Sequence, residues 1–205
     1  MTQERSRQRR ERILDAAMNV FTRLGFRDAA VDEIAKQADT SKGGLYFHFP
    51  TKESLFLELM RTTADKLVAR VERAVARESD PIARADVALW TVLTTFAGHR
   101  TMARLLLIEG IGAGAAFRQE QEQLHERFIR LIQGHLDDAV SGGIIAPLDT
   151  RIAAAAWFGA LNEIVMRWLI AKEPGRLEDA YPTLQAVLLR SVGISEARIT
   201  ALGRS

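Results

Sequence analysis

The sequence predicts an all-α protein in which a three-helix, helix-turn-helix domain is joined by a long helix to a helical bundle. Apolar residues recur at helical spacing almost everywhere along the 205 residues, and no stretch alternates like a strand. Glycine or proline separates the helices beyond Pro81, and Asp39 and Thr40 form the break between the second and third helices. The break between the second and third helices has the length of a helix-turn-helix. Together these observations predict the fold class.

The first helix is predicted from Arg9 to Leu24, where apolar residues follow one helical face. Gly25 supplies a left-handed stop, since glycine adopts that conformation at little cost. A second, short helix is expected from about Asp32 to Ala38. The turn that follows it then leads into the third helix.

Ser41 is positioned to cap a third helix, and Pro50 ends it because proline disfavours helical geometry in the preceding residue. Thr51 caps a fourth helix that runs to about Glu78. The length of this helix indicates a connector between two modules. Beyond Pro81 the periodicity predicts helices near residues 82–97, 101–110, 117–140, 149–171 and 177–193.

The composition, 47% hydrophobic and 26% charged, is that of a globular chain, and the lack of cysteine excludes disulfides, thiolate metal sites and thiol redox chemistry. The longest uncharged apolar stretch, 152–161, is about half of the roughly 20 residues that cross a bilayer. No apolar run that could serve in secretion follows the N-terminal arginines. We therefore expect a cytoplasmic protein without a membrane span.

The positive charge is concentrated near the N-terminus. Residues 1–52 contain 10 lysines and arginines against 7 acids, whereas residues 53–205 contain 18 against 19. Five arginines lie in the first twelve residues. Such an arm either lies along phosphates or forms a solvated tail, and composition alone favours the tail.

The third helix contains the candidate binding residues. Leu45 and Phe49 are four residues apart and face the core, which leaves an unusual set on the remaining surface: Lys42, Gly43, Tyr46, Phe47 and His48. Glycine in a helix lowers stability by about 0.5–1 kcal/mol relative to alanine, so this surface does not serve to stabilise the fold. It suits DNA, because glycine allows the helix to approach the duplex closely.

Several side chains of this region can reach DNA. Tyr46 and His48 can contact phosphates, and Lys42 can contact a phosphate or a guanine edge. Lys52, together with the amide groups that begin the fourth helix, offers a further phosphate site.

From Arg9 to Leu59 the sequence resembles the TetR family of bacterial transcriptional regulators. Three segments carry the resemblance in order and spacing: ERILDAAMNVFTRLGF, VDEIAKQA and SKGGLYFHFPTKESLF. The DNA contacts that the resemblance implies are Ser41, Lys42, Gly43, Tyr46, Phe47, His48 and Lys52.

The resemblance also implies a domain division and a mode of action. Residues 1–52 would form the N-terminal arm and DNA-binding domain, and residues 53–205 the effector-binding and dimerisation domain. The protein would be a homodimeric repressor that a hydrophobic or amphipathic small molecule releases from a palindromic operator. A DNA-binding dimer without an effector, controlled by a protein partner or organising DNA, is the alternative.

Two departures from the family pattern affect DNA binding. Ala29 and Ala30 stand where the family commonly has a threonine or serine that opens the second helix, so we expect this cap and its phosphate contact to be lost, with Asp32 substituting in part. Asp39 replaces the glycine of the turn, and its charge lies close to the DNA side.

The helix predicted over 149–171 has two apolar stripes, so one of them needs a partner outside the protomer core unless the helix is wholly buried. The stripes are Trp157, Leu161, Ile164 and Trp168, and Ala153, Ala156 and Ala160. We expect the dimer interface to join this helix to a last-helix set: Leu184, Val187, Leu188 and Ser191.

Asn162 and Glu163 interrupt the same apolar helix and would each need a partner if buried. In one interpretation Glu163 pairs with Arg104, Arg127 or Arg130. In the other, the two polar side chains and a set of aromatic rings line an effector pocket: Trp90, Phe96, Phe128, Trp157 and Trp168.

The sequence offers little support for an enzyme. A loose dinucleotide motif at residues 110–115 lacks the flanking strands that such a site needs. His99, His125 and His135 lack the spacing of a helical metal site, and no nucleophile with a base is evident. We therefore expect no catalytic residue, no metal and no cofactor.

Overall fold

The computed structural model describes residues 2–108 and 114–202, and within these ranges the protein is all-α, without a strand. The loose dinucleotide motif falls largely on residues 109–113 and so lies outside the described residues. The described helices are α1 (Thr2–Asp28), α2 (Val31–Gln37), α3 (Lys42–His48), α4 (Lys52–Val75), α5 (Pro81–Gly98), α6 (Arg100–Leu107), α7 (Ala115–Ser141), α8 (Thr150–Ile170), α9 (Tyr181–Ser191) and α10 (Glu196–Leu202), with a 3-10 turn at Leu177–Ala180.

The chain forms two compact units. The first comprises Met1–Asp65 and Thr101–Glu120, and the second comprises Lys66–Arg100 and Gln121–Ser205. Helices α4 and α7 each contribute residues to both units. The functional division at residue 52 stays a prediction.

Four phenylalanines pack together in the core of the first unit. The Phe56 ring of α4 lies with its centroid 5.4 Å from that of Phe21, 4.8 Å from that of Phe26 and 6.0 Å from that of Phe117. Phe21, Phe56 and Phe117 are fully buried. Tilted and edge-on rings at these distances attract each other beyond their burial. The start of α7 therefore shares a core with the helix-turn-helix.

The N-terminal arginines are helical and exposed, so the first helix begins at Thr2 and not at the predicted Arg9. Arg7 pairs with Glu4 at 2.8 Å and with Glu11 at 2.9 Å, and ion pairs at these spacings stabilise a helix. The break at Gly25 is confirmed by its φ of 78°. Helical geometry then resumes as far as Asp28.

The caps around α3 are confirmed. The Ser41 hydroxyl accepts a hydrogen bond from the Gly44 amide at 3.0 Å, and Asp39 adopts the left-handed φ of 51°. Before α4, the amide of Ser54 donates to the Thr51 hydroxyl, and the amide of Thr51 donates to the Ser54 hydroxyl, each at 3.0 Å. These hydrogen bonds satisfy backbone amide groups that have no intrahelical acceptor at the start of a helix.

The second unit differs from the prediction in two places. Leu184 and Leu188 of α9 are buried within the protomer, so their expected place in a dimer interface is wrong. The single helix expected over 177–193 is a 3-10 turn followed by α9, and Gly193, with a φ of 83°, ends this segment before α10. Because glycine tolerates this conformation, the chain can turn sharply there.

Candidate nucleic-acid interface

Helix α3 divides between core and surface as predicted. Leu45 is fully buried and Phe49 is 3% exposed. His48 is half-buried, whereas the other predicted contacts on this segment are exposed: Ser41, Lys42, Gly43, Tyr46 and Phe47. Their role as DNA contacts stays a prediction.

The most informative side chain is Phe47, which is 82% exposed. Burying a phenylalanine is worth about 1.5–3 kcal/mol, so a phenylalanine in water gains nothing for the protomer. Tyr46 beside it is 38% exposed. Two neighbouring aromatic rings on the outer face of a capped helix indicate a surface that a partner covers.

The two glycines of α3 have different surroundings. A Cβ added at Gly44 would lie 2.6 Å from Thr40 Oγ1 and 3.3 Å from Ser41 Oγ, so a side chain there would require the Thr40 hydroxyl to shift. A Cβ added at Gly43 would meet only Ser41 Oγ, at 3.9 Å. The protomer has room for a side chain at Gly43, so packing within the protomer does not require glycine there.

A surface groove of about 640 Å³ brings together three of the predicted contacts, Lys42, Tyr46 and Lys52. Its walls come from the starts of α2 and α4 as well as from α3. The remaining lining residues are Ala29, Val31, Pro50, Thr51 and Glu53.

Lys42 is held by Asp32, whose carboxylate lies 3.0 Å from its Nζ and raises the pKa of the lysine. Asp32 therefore does not replace the missing cap of α2, and Ala30 begins that helix without a side-chain hydrogen bond. The ion pair is exposed and so is weak. A phosphate can displace the carboxylate.

Lys52 has a structural role that the sequence did not reveal. Its Nζ donates hydrogen bonds to the carbonyl oxygens of Arg27, at 3.0 Å, and Ala29, at 3.2 Å, and it lies 4.8 Å from the centre of the Phe26 ring. These contacts tie α4 to the end of α1. An ammonium group has three protons, so one remains for a phosphate.

His48 lies beside the arginines of α1. Burial, followed by the positive charges of Arg9 and Arg10, lowers the pKa of His48, so the imidazole is neutral at neutral pH. Arg10 also lies over the Phe49 ring, 5.2 Å from its centre. The N-terminal part of α1 and the end of α3 are therefore neighbours.

The aromatic residues predicted to line an effector pocket all lie in the second unit, where several of them have local ring or hydrogen-bond contacts. The Trp90 ring lies 5.0 Å from that of Tyr181, and Phe128 stacks with Phe158. Trp157 is buried and donates to the Ser191 hydroxyl at 3.0 Å.

Trp168, a further member of that set, lies on α8 and is tied to the loop after that helix. Trp168 donates to the carbonyl oxygen of Gly175 at 2.8 Å, and the guanidinium of Arg100 lies 5.2 Å from its ring centre. Asn162 and Phe96 are half-buried. The pocket itself stays a prediction.

Glu163 requires a correction. Its side chain is exposed and accepts a hydrogen bond from Arg167 Nε at 2.5 Å, one turn along α8. The expected partners Arg104, Arg127 and Arg130 are wrong. An exposed carboxylate paired in this way does not form the polar end of a pocket within the protomer.

Sequence reasoning missed a buried polar cluster in the second unit. Asp86 is 4% exposed and accepts hydrogen bonds from the Tyr181 hydroxyl and the Gln185 side-chain amide, both at 2.7 Å. The sequence contained a signal for this burial, because Asp86 lies in register with the buried Ile82 and Leu89 on α5.

Within the described residues, no group of three or more acids and histidines could hold a metal ion.

The fold and the exposed face of α3 define a DNA-binding protein of the helix-turn-helix class. Residues 13–59 match the family model for bacterial regulatory proteins of the tetR family. This match, together with the similarity to transcriptional regulators reported below, supports membership of the TetR family. None of the described helices combines the length and apolar character that a bilayer crossing needs.

Relatives and solved structures are similar over most of the chain. The fatty acid metabolism regulator protein of Bacillus subtilis is 25% identical over 77% of this chain and 82% of its own length. Nucleoid occlusion factor SlmA of Vibrio atlanticus is 27% identical over 93% of this chain and 100% of its own length. The crystal structure of FadR from Bacillus subtilis in complex with stearoyl-CoA shares the fold, with a TM-score of 0.79 at 23% identity over 90% of this chain and 99% of that one.

Proposed function

We propose that the protein is a cytoplasmic, homodimeric repressor that binds a palindromic operator through α3 and leaves it when a hydrophobic or amphipathic small molecule binds. The observation that carries the DNA-binding part is the outer face of α3. There Phe47 is 82% exposed beside Gly43, a position where the protomer has room for a side chain.

The second unit offers a surface for a symmetric dimer. Two large apolar side chains are exposed, Ile152 of α8 at 68% and Val187 of α9 at 55%. Two small residues in the middle of α8, Ala156 and Gly159, are also exposed. Small residues one turn apart allow two helices to approach closely. A two-fold pairing of this face in two protomers supports recognition of a palindrome.

Selection from random-sequence duplexes tests the operator proposal. We expect recovery of an inverted repeat whose half-sites lie about 34–36 Å apart, or a multiple of that, because each protomer contributes one α3. Recovery of a single asymmetric half-site, or of no preferred sequence, contradicts the proposal.

Half-buried aromatic rings in the second unit, among them Trp90, Phe96 and Phe128, support an apolar effector. Two similar proteins point the same way, since one is a fatty acid metabolism regulator and the crystal structure of FadR from Bacillus subtilis contains stearoyl-CoA. An acyl thioester of this type is amphipathic. It is therefore the first compound to examine.

Helices α4 and α7 are the natural route of coupling because each runs from one unit into the other. Near the start of α7, Phe117 packs on Phe56 and Glu120 accepts a hydrogen bond from Arg61 of α4. A ligand can alter DNA binding only if its affinity differs between the DNA-binding arrangement of these helices and another arrangement.

Titration of stearoyl-CoA with and without operator DNA tests this coupling. We expect the compound to lower operator affinity and the operator to lower its affinity by the same factor, as linkage requires. Equal affinities in the two titrations would show that the ligand site is not coupled to DNA binding. If stearoyl-CoA does not bind, this acyl-CoA is excluded as the effector.

The second candidate is a DNA-binding dimer without a small-molecule effector, and the similarity to a nucleoid occlusion factor over 93% of the chain favours it. The same titrations separate the two candidates. A protein that selects a sequence but binds no apolar compound belongs to the second.

A further inference from the structure

The N-terminal segment of α1 carries a row of arginines with no function in the fold. Arg5, Arg9 and Arg12 are all exposed and lie at spacings of four and three residues, which places them on one face of a helix. We call these three residues the arginine row. They line a shallow groove together with Gln8, Glu11 and Asp15.

The other two arginines of the segment are neutralised within the protein. Arg7 pairs with Glu4 and Glu11, and Arg10 pairs with Glu58 at 2.5 Å. Within the described residues, the members of the arginine row form no ion pair. The acids of the segment thus mask one set of arginines and leave the row positively charged.

The row also lies beside the candidate interface. Arg10, next to Arg9 in the chain, lies over the Phe49 ring at the end of α3. The positive charge of Arg9 is close enough to His48 to lower the pKa of that histidine. The row therefore extends the α3 surface along α1.

We infer that the arginine row is a second DNA contact, which binds the sugar-phosphate backbone beside the sequence that α3 reads. The row spans about 10 Å along the helix axis, and duplex DNA carries about six phosphate charges over that length. Guanidinium groups suit phosphate oxygens because they can donate two parallel hydrogen bonds. This inference rests on the proposed DNA-binding function.

The test measures operator binding against salt concentration for the full-length triple variant R5Q/R9Q/R12Q. Each phosphate contact contributes about 0.9 to the slope of log K against log salt, so we expect the slope to flatten by about 2.7 per protomer. Affinity for a shuffled duplex of the same composition should fall by the same factor. Phosphate contacts carry no sequence information, so the preference for the operator should persist.

Two controls isolate the row. R73Q/R151Q/R176Q removes the same charge from exposed arginines of the second unit and should leave the slope unchanged. R5K/R9K/R12K keeps the charge and should retain most of the slope. Thermal melting followed by circular dichroism checks that every variant is folded.

The outcomes are distinguishable from failure of the proposed function. An unchanged slope in folded R5Q/R9Q/R12Q, with operator selection intact in the natural protein, overturns the arginine row alone. A natural protein that binds duplexes without preference, and whose slope flattens in the triple variant, supports the row and contradicts the operator. If the natural protein binds no DNA, both proposals fail.

Discussion

Replacing Ala156 with arginine should convert the protein into monomers and reduce operator affinity at least about a hundredfold, because each monomer would retain only one of two half-sites. Ala156 is exposed on α8, so the protomer has room for the larger side chain. In a two-fold interface the substitution introduces two arginines without partners. Burying such charges without a partner is costly.

Light scattering coupled to gel filtration measures the molecular mass, and fluorescence anisotropy with the selected operator measures affinity. Ala116→Arg is the matched control, since Ala116 is an exposed alanine of α7 in the other unit. That variant should remain dimeric. An Ala156→Arg protein that is still a dimer would place the interface on another face.

The sequence predicted α3 well because its determinants are local. The Ser41 cap, the buried Leu45 and Phe49, and the proline that ends the helix all lie within ten residues. Spacing along one helix decides which of these side chains face the core. No distant residue was needed to place them.

The sequence could not predict contacts between distant segments. Lys52 donates to carbonyl oxygens some 23–25 residues earlier in the chain, and Phe117 shares a core with Phe56. Such contacts depend on how helices are arranged, and periodicity within one helix contains no record of that arrangement. The roles of Lys52 and Phe117 in the first unit are therefore visible only in the tertiary structure.

Glu163 is a different case, because its partner was predictable. Arg167 lies four residues later on the same helix, a spacing at which a glutamate and a basic side chain meet. A distant arginine would be needed as a partner only if Glu163 were buried. The low polarity of the surrounding α8 sequence suggested burial, yet α8 also exposes Ile152 and Ile170.

Gly43→Ala should stabilise the protein while weakening operator binding by at least about tenfold, which corresponds to roughly one base or phosphate contact. Alanine is favoured over glycine in a helix by about 0.5–1 kcal/mol, with the smaller value expected in the first turn of α3. The nearest atom to the new methyl group within the protomer would be Ser41 Oγ, at 3.9 Å. The methyl group would instead occupy the space into which DNA is expected to approach.

Gly134→Ala provides the matched control for this prediction. Gly134 is an exposed glycine inside α7, and a Cβ added there meets nothing within 4 Å. Both variants should show a raised melting temperature, but only Gly43→Ala should lose operator affinity. Because the two effects of Gly43→Ala have opposite signs, unfolding cannot account for the loss of binding. Unchanged operator affinity in Gly43→Ala would show that DNA does not approach α3 at this residue.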